Sequence, residues 1–112
     1  MTAENNMLFS QVTAFIRNDA LEKVTLRLKE LGVPGISVSC VKGYGEYKDF
    51  YCRDLMTQHA RIEIFVSSQR ADEIAQAIMD VAYTGVEGDG IVAILPVAKI
   101  YKIRHRAEMS QD

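Results

Sequence analysis

"ARIEIFVSSQRADEIAQAIMDVAY", residues 60–83, changes its period once, and the change decides the fold. Over the first seven residues side chains alternate. Ala60, Ile62, Ile64 and Val66 face one way, Arg61 and Glu63 the other, as in a strand with one buried face. Beyond Ser67 and Ser68, either of which is expected to cap a helix, Ala71, Ile74, Ala75, Ile78 and Ala82 recur at helical spacing. The same succession occurs upstream. "LFSQVTAFI" (8–16) mixes β-branched and aromatic residues as a strand does. "NDALEKVTLRLKELGVPG" (18–35) then places Leu21, Val24, Leu28 and Leu31 on one helical face. Asp19 and Glu22 stand three apart as a capping box, and Gly32 and Pro34 end the helix.

Outward from these two units the remaining elements fall into place. "GISVSCVKG" (35–43) is a strand, with Ile36, Val38 and Cys40 on one face and Ser37 and Ser39 on the other. Thr84–Gly90 is a turn, Ile91–Val97 a buried strand, and Lys99–Arg106 a short edge strand. The order strand–helix–strand–strand–helix–strand predicts a single α+β domain over 1–112 of the ferredoxin-like βαββαβ plan. In it two helices cover one face of a four-stranded antiparallel sheet. The other face is left bare, and Val12, Phe15, Phe65 and "IVAIL" make it partly apolar. A sheet face of that kind finds a partner, so a homo-oligomer is expected.

Composition excludes several functions. A chain of 112 residues with 48% hydrophobic content can build a core without staples. Its formal charge of −2 does not attract nucleic acid, and the inner strands offer no pair of stacking aromatics. Arg17, Lys42, Arg61 and Glu63 interrupt the best candidates and no apolar run approaches the ~20 residues of a span, so no direct membrane insertion is expected. "MTAENNMLF" has no basic n-region followed by an apolar h-region, so a secretory signal is not expected. Cys40 and Cys52 form no CxxC, and a cytoplasmic location with reduced thiols is expected. No serine or cysteine stands with a histidine as a nucleophile–base pair, so turnover is not expected.

Three features are left to carry function. Gly43–Gln58 holds no period, and a long structureless segment in a small domain is more often functional than accidental. Its Tyr47, Phe50, Tyr51 and Met56 are candidate partner contacts. Cys52, His59 and Asp49 match no standard metal spacing, no metal site is assigned, and His59 reads as a solvated loop histidine. "GVEGDG" (85–90) is either a tight turn that uses glycine for positive φ or a nest of N–H groups for an anion. Lys102, Arg104 and Arg106 alternate. They could converge on phosphate from one strand face, or guard an edge against aggregation. Ser37 is either a half-buried hydroxyl or a ligand contact. Arg61 and Glu63 read as an ion pair across strands or subunits.

With "VKGYG" (41–45), "ARIEIFV" (60–66) and above all "TGVEGDGIV" (84–92) in this order, the chain resembles the PII signal-transduction family from about Phe9 to Arg106. The short segment at 43–58 is similar to the T-loop of a divergent branch found near heavy-metal efflux genes. The resemblance implies a homotrimer, a B-loop at 84–90, a C-terminal segment at 99–112, and an adenine nucleotide in each cleft between subunits. It also implies a target protein engaged by the T-loop, such as a membrane transporter, an efflux component or a soluble enzyme. Carried over residue by residue, it assigns Ser37 to the adenine and Gly43, Gly88, Asp89 and Gly90 to the backbone around the nucleotide. Lys102 and Arg104 are assigned to its phosphates. Ile91 stands where the family has a phosphate-contacting lysine, Glu46 where it has arginine, and His59 where it has the lysine that grips 2-oxoglutarate. Fewer cations favour ADP or AMP over ATP. The alternative is a nucleotide-free trimeric scaffold or metal-tolerance protein of the CutA architecture.

Overall fold

The computed structural model of the chain describes residues 7–43 and 57–110. Strand β1 (Phe9–Arg17) leads through a 3-10 turn at Asn18–Ala20 into helix α1 (Leu21–Glu30). Strands β2 (Ser37–Gly43) and β3 (Thr57–Ser67) follow, and a second 3-10 turn at Ser68–Arg70 leads into helix α2 (Ala71–Ala82). Strand β4 (Gly90–Val97) completes an antiparallel sheet of order β2-β3-β1-β4. This is the ferredoxin-like α+β plan that the change of period predicts.

Alternation along β1 and β3 decides where the core lies. Val12, Ala14 and Ile16 of β1 and Ala60, Ile62 and Ile64 of β3 are all at most 1% exposed. They meet Val24 and Leu28 of α1 and Ile74 and Ile78 of α2. Burying an aliphatic side chain completely contributes roughly 1.5–3 kcal/mol each, so this layer fixes the register of both central strands. A slip by one residue would turn it to solvent. Val12 therefore faces the helices. Its expected place on the bare face is wrong, because it shares the parity of Ala14 and Ile16. The bare face is formed by Gln11, Thr13 and Phe15 of β1, Arg61, Glu63 and Phe65 of β3, and Ile91, Ala93 and Leu95 of β4. Phe65 is 56% exposed there and Leu95 45%.

The helix starts differ from expectation. Neither has a side-chain cap: Ala20 precedes α1 and Arg70 precedes α2. In each case the 3-10 turn donates to a carbonyl instead, from Leu21 N–H to Asn18 O and from Ala71 N–H to Ser68 O. The tighter i→i+3 bonding supplies what a capping serine or aspartate would supply. Ser68 is used for something else, a hydroxyl pair with buried Ser10 at 2.9 Å that ties the start of α2 to β1. Gly32 ends α1 as expected, at φ +81.

The C-terminal segment is also not the expected single strand. Tyr101–Lys102 (β5) and Ala107–Glu108 (β6) pair with each other in a separate two-stranded sheet, joined by a turn over 103–106. His105 N–H donates to Lys102 O and Arg106 N–H to Ile103 O, both at 3.2 Å, and Met109 N–H closes the base on Ile100 O at 2.7 Å. A strand over 99–106 with no neighbour in the main sheet would leave its peptide groups without strand partners, and folding back supplies them.

Candidate functional site: a clamped turn at one end of the sheet

Residues 84–90 connect α2 to β4, and three glycines shape the connection. Gly85, Gly88 and Gly90 have φ of +84, +103 and +117, a region that side chains with a Cβ avoid. At Gly90 there is a second reason. A Cβ there would lie 1.8 Å from the carbonyl oxygen of Phe15, because Gly90 pairs against the end of β1. Glycine spacing that reads as a turn in the sequence is thus required twice over, by dihedral and by close approach.

Asp89 organises this turn. Its carboxylate accepts from Thr84 N–H at 2.7 Å, from the Thr84 hydroxyl, and from Gly85 N–H at 3.3 Å. From the sheet side Arg17 Nε donates to it at 3.2 Å. Burial pushes the Asp89 carboxyl up. The bonds from Thr84, Arg17 and Gly85 together outweigh that and hold it below the usual carboxylate range. The side chain is therefore spent on the turn's own geometry, and what the turn can offer a ligand is backbone.

Two residues reach the turn's carbonyls from the end of the sheet. Arg17 Nη2 donates to Glu87 O at 2.9 Å, and His59 Nε2 lies 3.5 Å from Gly88 O. Arg17 and His59 are register partners across β1 and β3. His59 is only 3% exposed, so its reading as a solvated loop histidine is corrected: β3 begins at Thr57, earlier than the alternation alone indicates. Beside them Arg17, Asn18, Asp19, Gln58 and His59 line a polar hollow of about 220 Å³. On the other side of the turn a more apolar hollow of about 200 Å³ opens between α2 and β4, against Ile16, Ile78, Met79, Tyr83 and Val92.

The residues singled out from the sequence are placed as follows. Gly88, Asp89 and Gly90 form the turn, and Gly43 ends β2 at the same end of the sheet, opposite Thr57. Ser37 begins β2 on the bare face, opposite Glu63 and on the outer edge, about 14 Å (three strand spacings) across from β4. Lys102 lies in β5 and Arg104 in the turn after it, so with Arg106 (φ +50) they do not share one strand face. Within one chain Ser37 and the 88–90 turn are separated by the width of the sheet. Arg61 donates to Ser39 Oγ at 3.2 Å and Glu63 accepts from Gln11 at 3.1 Å, so within the chain the two make separate contacts. Tyr47, Phe50, Tyr51 and Met56, with Glu46, Asp49 and Cys52, lie outside the described residues. Among the described residues no three His, Cys, Asp or Glu side chains gather as a metal site. Arg17 and Thr84 are contributors that spacing does not reveal, since their role is visible only once β1 and the turn are adjacent.

A ferredoxin-like α+β domain with a braced glycine turn at one end of its sheet is the class this geometry defines. The chain belongs to the P-II family, whose model, described as nitrogen regulatory protein P-II, matches residues 9–107. It is 35% identical over 104 residues to the nitrogen regulatory protein P-II of Cyanidium caldarium, covering 87% of this chain and 92% of that one. It is 37% identical over 101 residues to the nitrogen regulatory protein GlnK2 of Haloferax mediterranei, covering 83% and 81%. Among solved structures it is similar to Arabidopsis thaliana PII bound to citrate, with a TM-score of 0.80 and 28% identity over 94% of this chain and 92% of that chain. The protein is accordingly a regulatory protein of the P-II type and not an enzyme. Among the described residues no helix is long and apolar enough to cross a membrane.

Proposed function

We propose that the chain works in the cytoplasm as a homotrimer that takes up an adenine nucleotide in each seam between copies and reports its occupancy to a target protein through residues 43–58. The observation that carries this reading is the 84–90 turn. Of its two acidic side chains, Glu87 is exposed, and Asp89 is already saturated by Thr84, Gly85 and Arg17. Gly88, Asp89 and Gly90 are then left to meet an anion with backbone N–H groups. Ser37, on the same bare face as Glu63, is assigned to the adenine, and Gly43 to the backbone beside it.

Trimer formation supplies what one chain lacks. The bare face carries exposed Phe65, Ile91 and Leu95, an apolar surface that association would cover. The β5–β6 hairpin carries Ile103 at 91% exposure between Lys102 and Arg104. In this reading that hairpin docks on a neighbouring copy, and Lys102 and Arg104 complete the phosphate site from across the seam. Ile91 directly after the turn supplies no cation. The diphosphate or monophosphate, with less charge to balance, is therefore the better ligand, and ADP or AMP is preferred to ATP. The regulated partner is a membrane transporter, an efflux component or a soluble enzyme, with the heavy-metal efflux branch as the nearest setting. It would be met by Tyr47, Phe50, Tyr51 and Met56. Calorimetry with AMP, ADP and ATP is the test. Heat with saturation at one nucleotide per chain, strongest for ADP or AMP, is expected; absence of heat and of any thermal shift at millimolar nucleotide removes the nucleotide from the account.

A further inference from the structure

We infer that Arg17 and His59 are positioning residues that decide which way the N–H groups of the 84–90 turn point. This rests on the reading of that turn as an anion nest and adds to it the part of the chain that sets the nest. The argument is one of peptide planes. In a trans peptide the C=O of one residue and the N–H of the next point in opposite directions. Arg17 Nη2 holds Glu87 O at 2.9 Å, which fixes the plane carrying the Gly88 N–H. His59 Nε2 is 3.5 Å from Gly88 O, which orients the plane carrying the Asp89 N–H. Both carbonyls are drawn towards the ends of β1 and β3, so both N–H groups are turned away from the sheet end.

Such a brace is needed because the turn itself does not enforce the choice. Gly88 has φ of +103 and is flanked two residues on by Gly90 at +117, and glycine passes between φ regions at little steric cost. Without a partner for its oxygen, a peptide next to Gly88 is free to flip and present C=O where N–H stood, which would repel an anion. Asp89 cannot prevent this alone, since its bonds run to Thr84 and Gly85 at the far side of the turn. Arg17 spans both parts, with Nε on Asp89 and Nη2 on Glu87 O. The two braces are also tied to each other's strands, because Asn18 Nδ2 donates to Gln58 O at 3.3 Å. Donation by Nε2 requires the tautomer, or the imidazolium, with a proton on that nitrogen.

The test uses the full chain labelled with ¹⁵N, with ADP as the probe. H59L fills the buried site without a donor, and H59Q keeps an N–H within reach. R17M removes the fork, and R17K keeps the charge with a single donor group. The brace predicts that H59L and R17M move the Gly88 and Asp89 amide resonances and weaken ADP by roughly tenfold each, with H59Q recovering to within about threefold of the parent. R17K, unable to reach Asp89 and Glu87 O together, is expected to recover less. Unmoved Gly88 and Asp89 resonances in both H59L and R17M overturn the inference, as does equal weakening by H59Q and H59L. If the parent binds no ADP, the nucleotide reading fails by itself and the amide resonances alone decide the brace. If H59L does not fold, the R17M and R17K pair decides.

Discussion

Asp89 looks from its sequence context like part of a ligand-binding signature, yet its carboxylate points into its own turn. It receives two bonds from Thr84, one from Gly85 and one from Arg17. Because these bonds hold its folded pKa below the unfolded one, the stabilisation is complete above the ordinary aspartate value, about 3.9. It is lost as pH falls through the depressed folded value. D89N is therefore expected to lower the melting temperature at pH 7, and the difference from the parent should shrink in thermal scans as pH falls below the ordinary aspartate range. Gly90 gives a sharper case. A Cβ there would clash with the Phe15 carbonyl oxygen at 1.8 Å, and the obstacle is backbone, which no side-chain rotation removes. G90A should cost roughly 3 kcal/mol or more in urea denaturation, since the β1–β4 pairing must shift to admit it. The glycines were legible in the sequence as a turn. That Asp89 is a staple and that Arg17 and His59 are braces was not, because each role depends on two segments meeting far apart in the chain.

At the scale of elements, helical spacing reports the buried face of α2, whereas the apolar run at 91–97, expected as a buried strand, forms a β4 that is largely exposed in the single chain. The stripe Ala71, Ile74, Ala75, Ile78 and Ala82 is buried as its spacing requires, with Ala77 added. I78A, at 1% exposure in the centre of this layer, should cost about 2–5 kcal/mol by chemical denaturation. Errors fall where hydrogen bonding overrides pattern. Ser68 and Asp19 have the chemistry of helix caps, but a 3-10 turn makes a cap unnecessary at both helices. Lys102, Arg104 and Arg106 have the alternation of a strand, but a hairpin with Arg106 at φ +50 gives those peptide groups partners that a lone strand lacks. Val12 is an error of pattern alone: its neighbours in parity, Ala14 and Ile16, fix it on the face towards the helices and not on the bare one.

The described residues form one layer of helices on one layer of sheet, and among them the second sheet face and the C-terminal hairpin are uncovered in the single chain. A face bearing Phe65, Ile91 and Leu95 is expected to be covered by association. F65D should therefore shift the sedimentation coefficient towards the monomer while leaving the circular dichroism of the folded domain in place. A parent chain that sediments as a monomer would remove the seam on which the nucleotide reading depends. Between the two, the crystal structure of the chain grown with ADP is the most direct measurement. The account predicts the diphosphate against the amides of residues 88–90 of one copy, with Lys102 and Arg104 of the next copy closing on it. ADP bound away from that turn, or a turn whose carbonyls rather than amides face the seam, would contradict it.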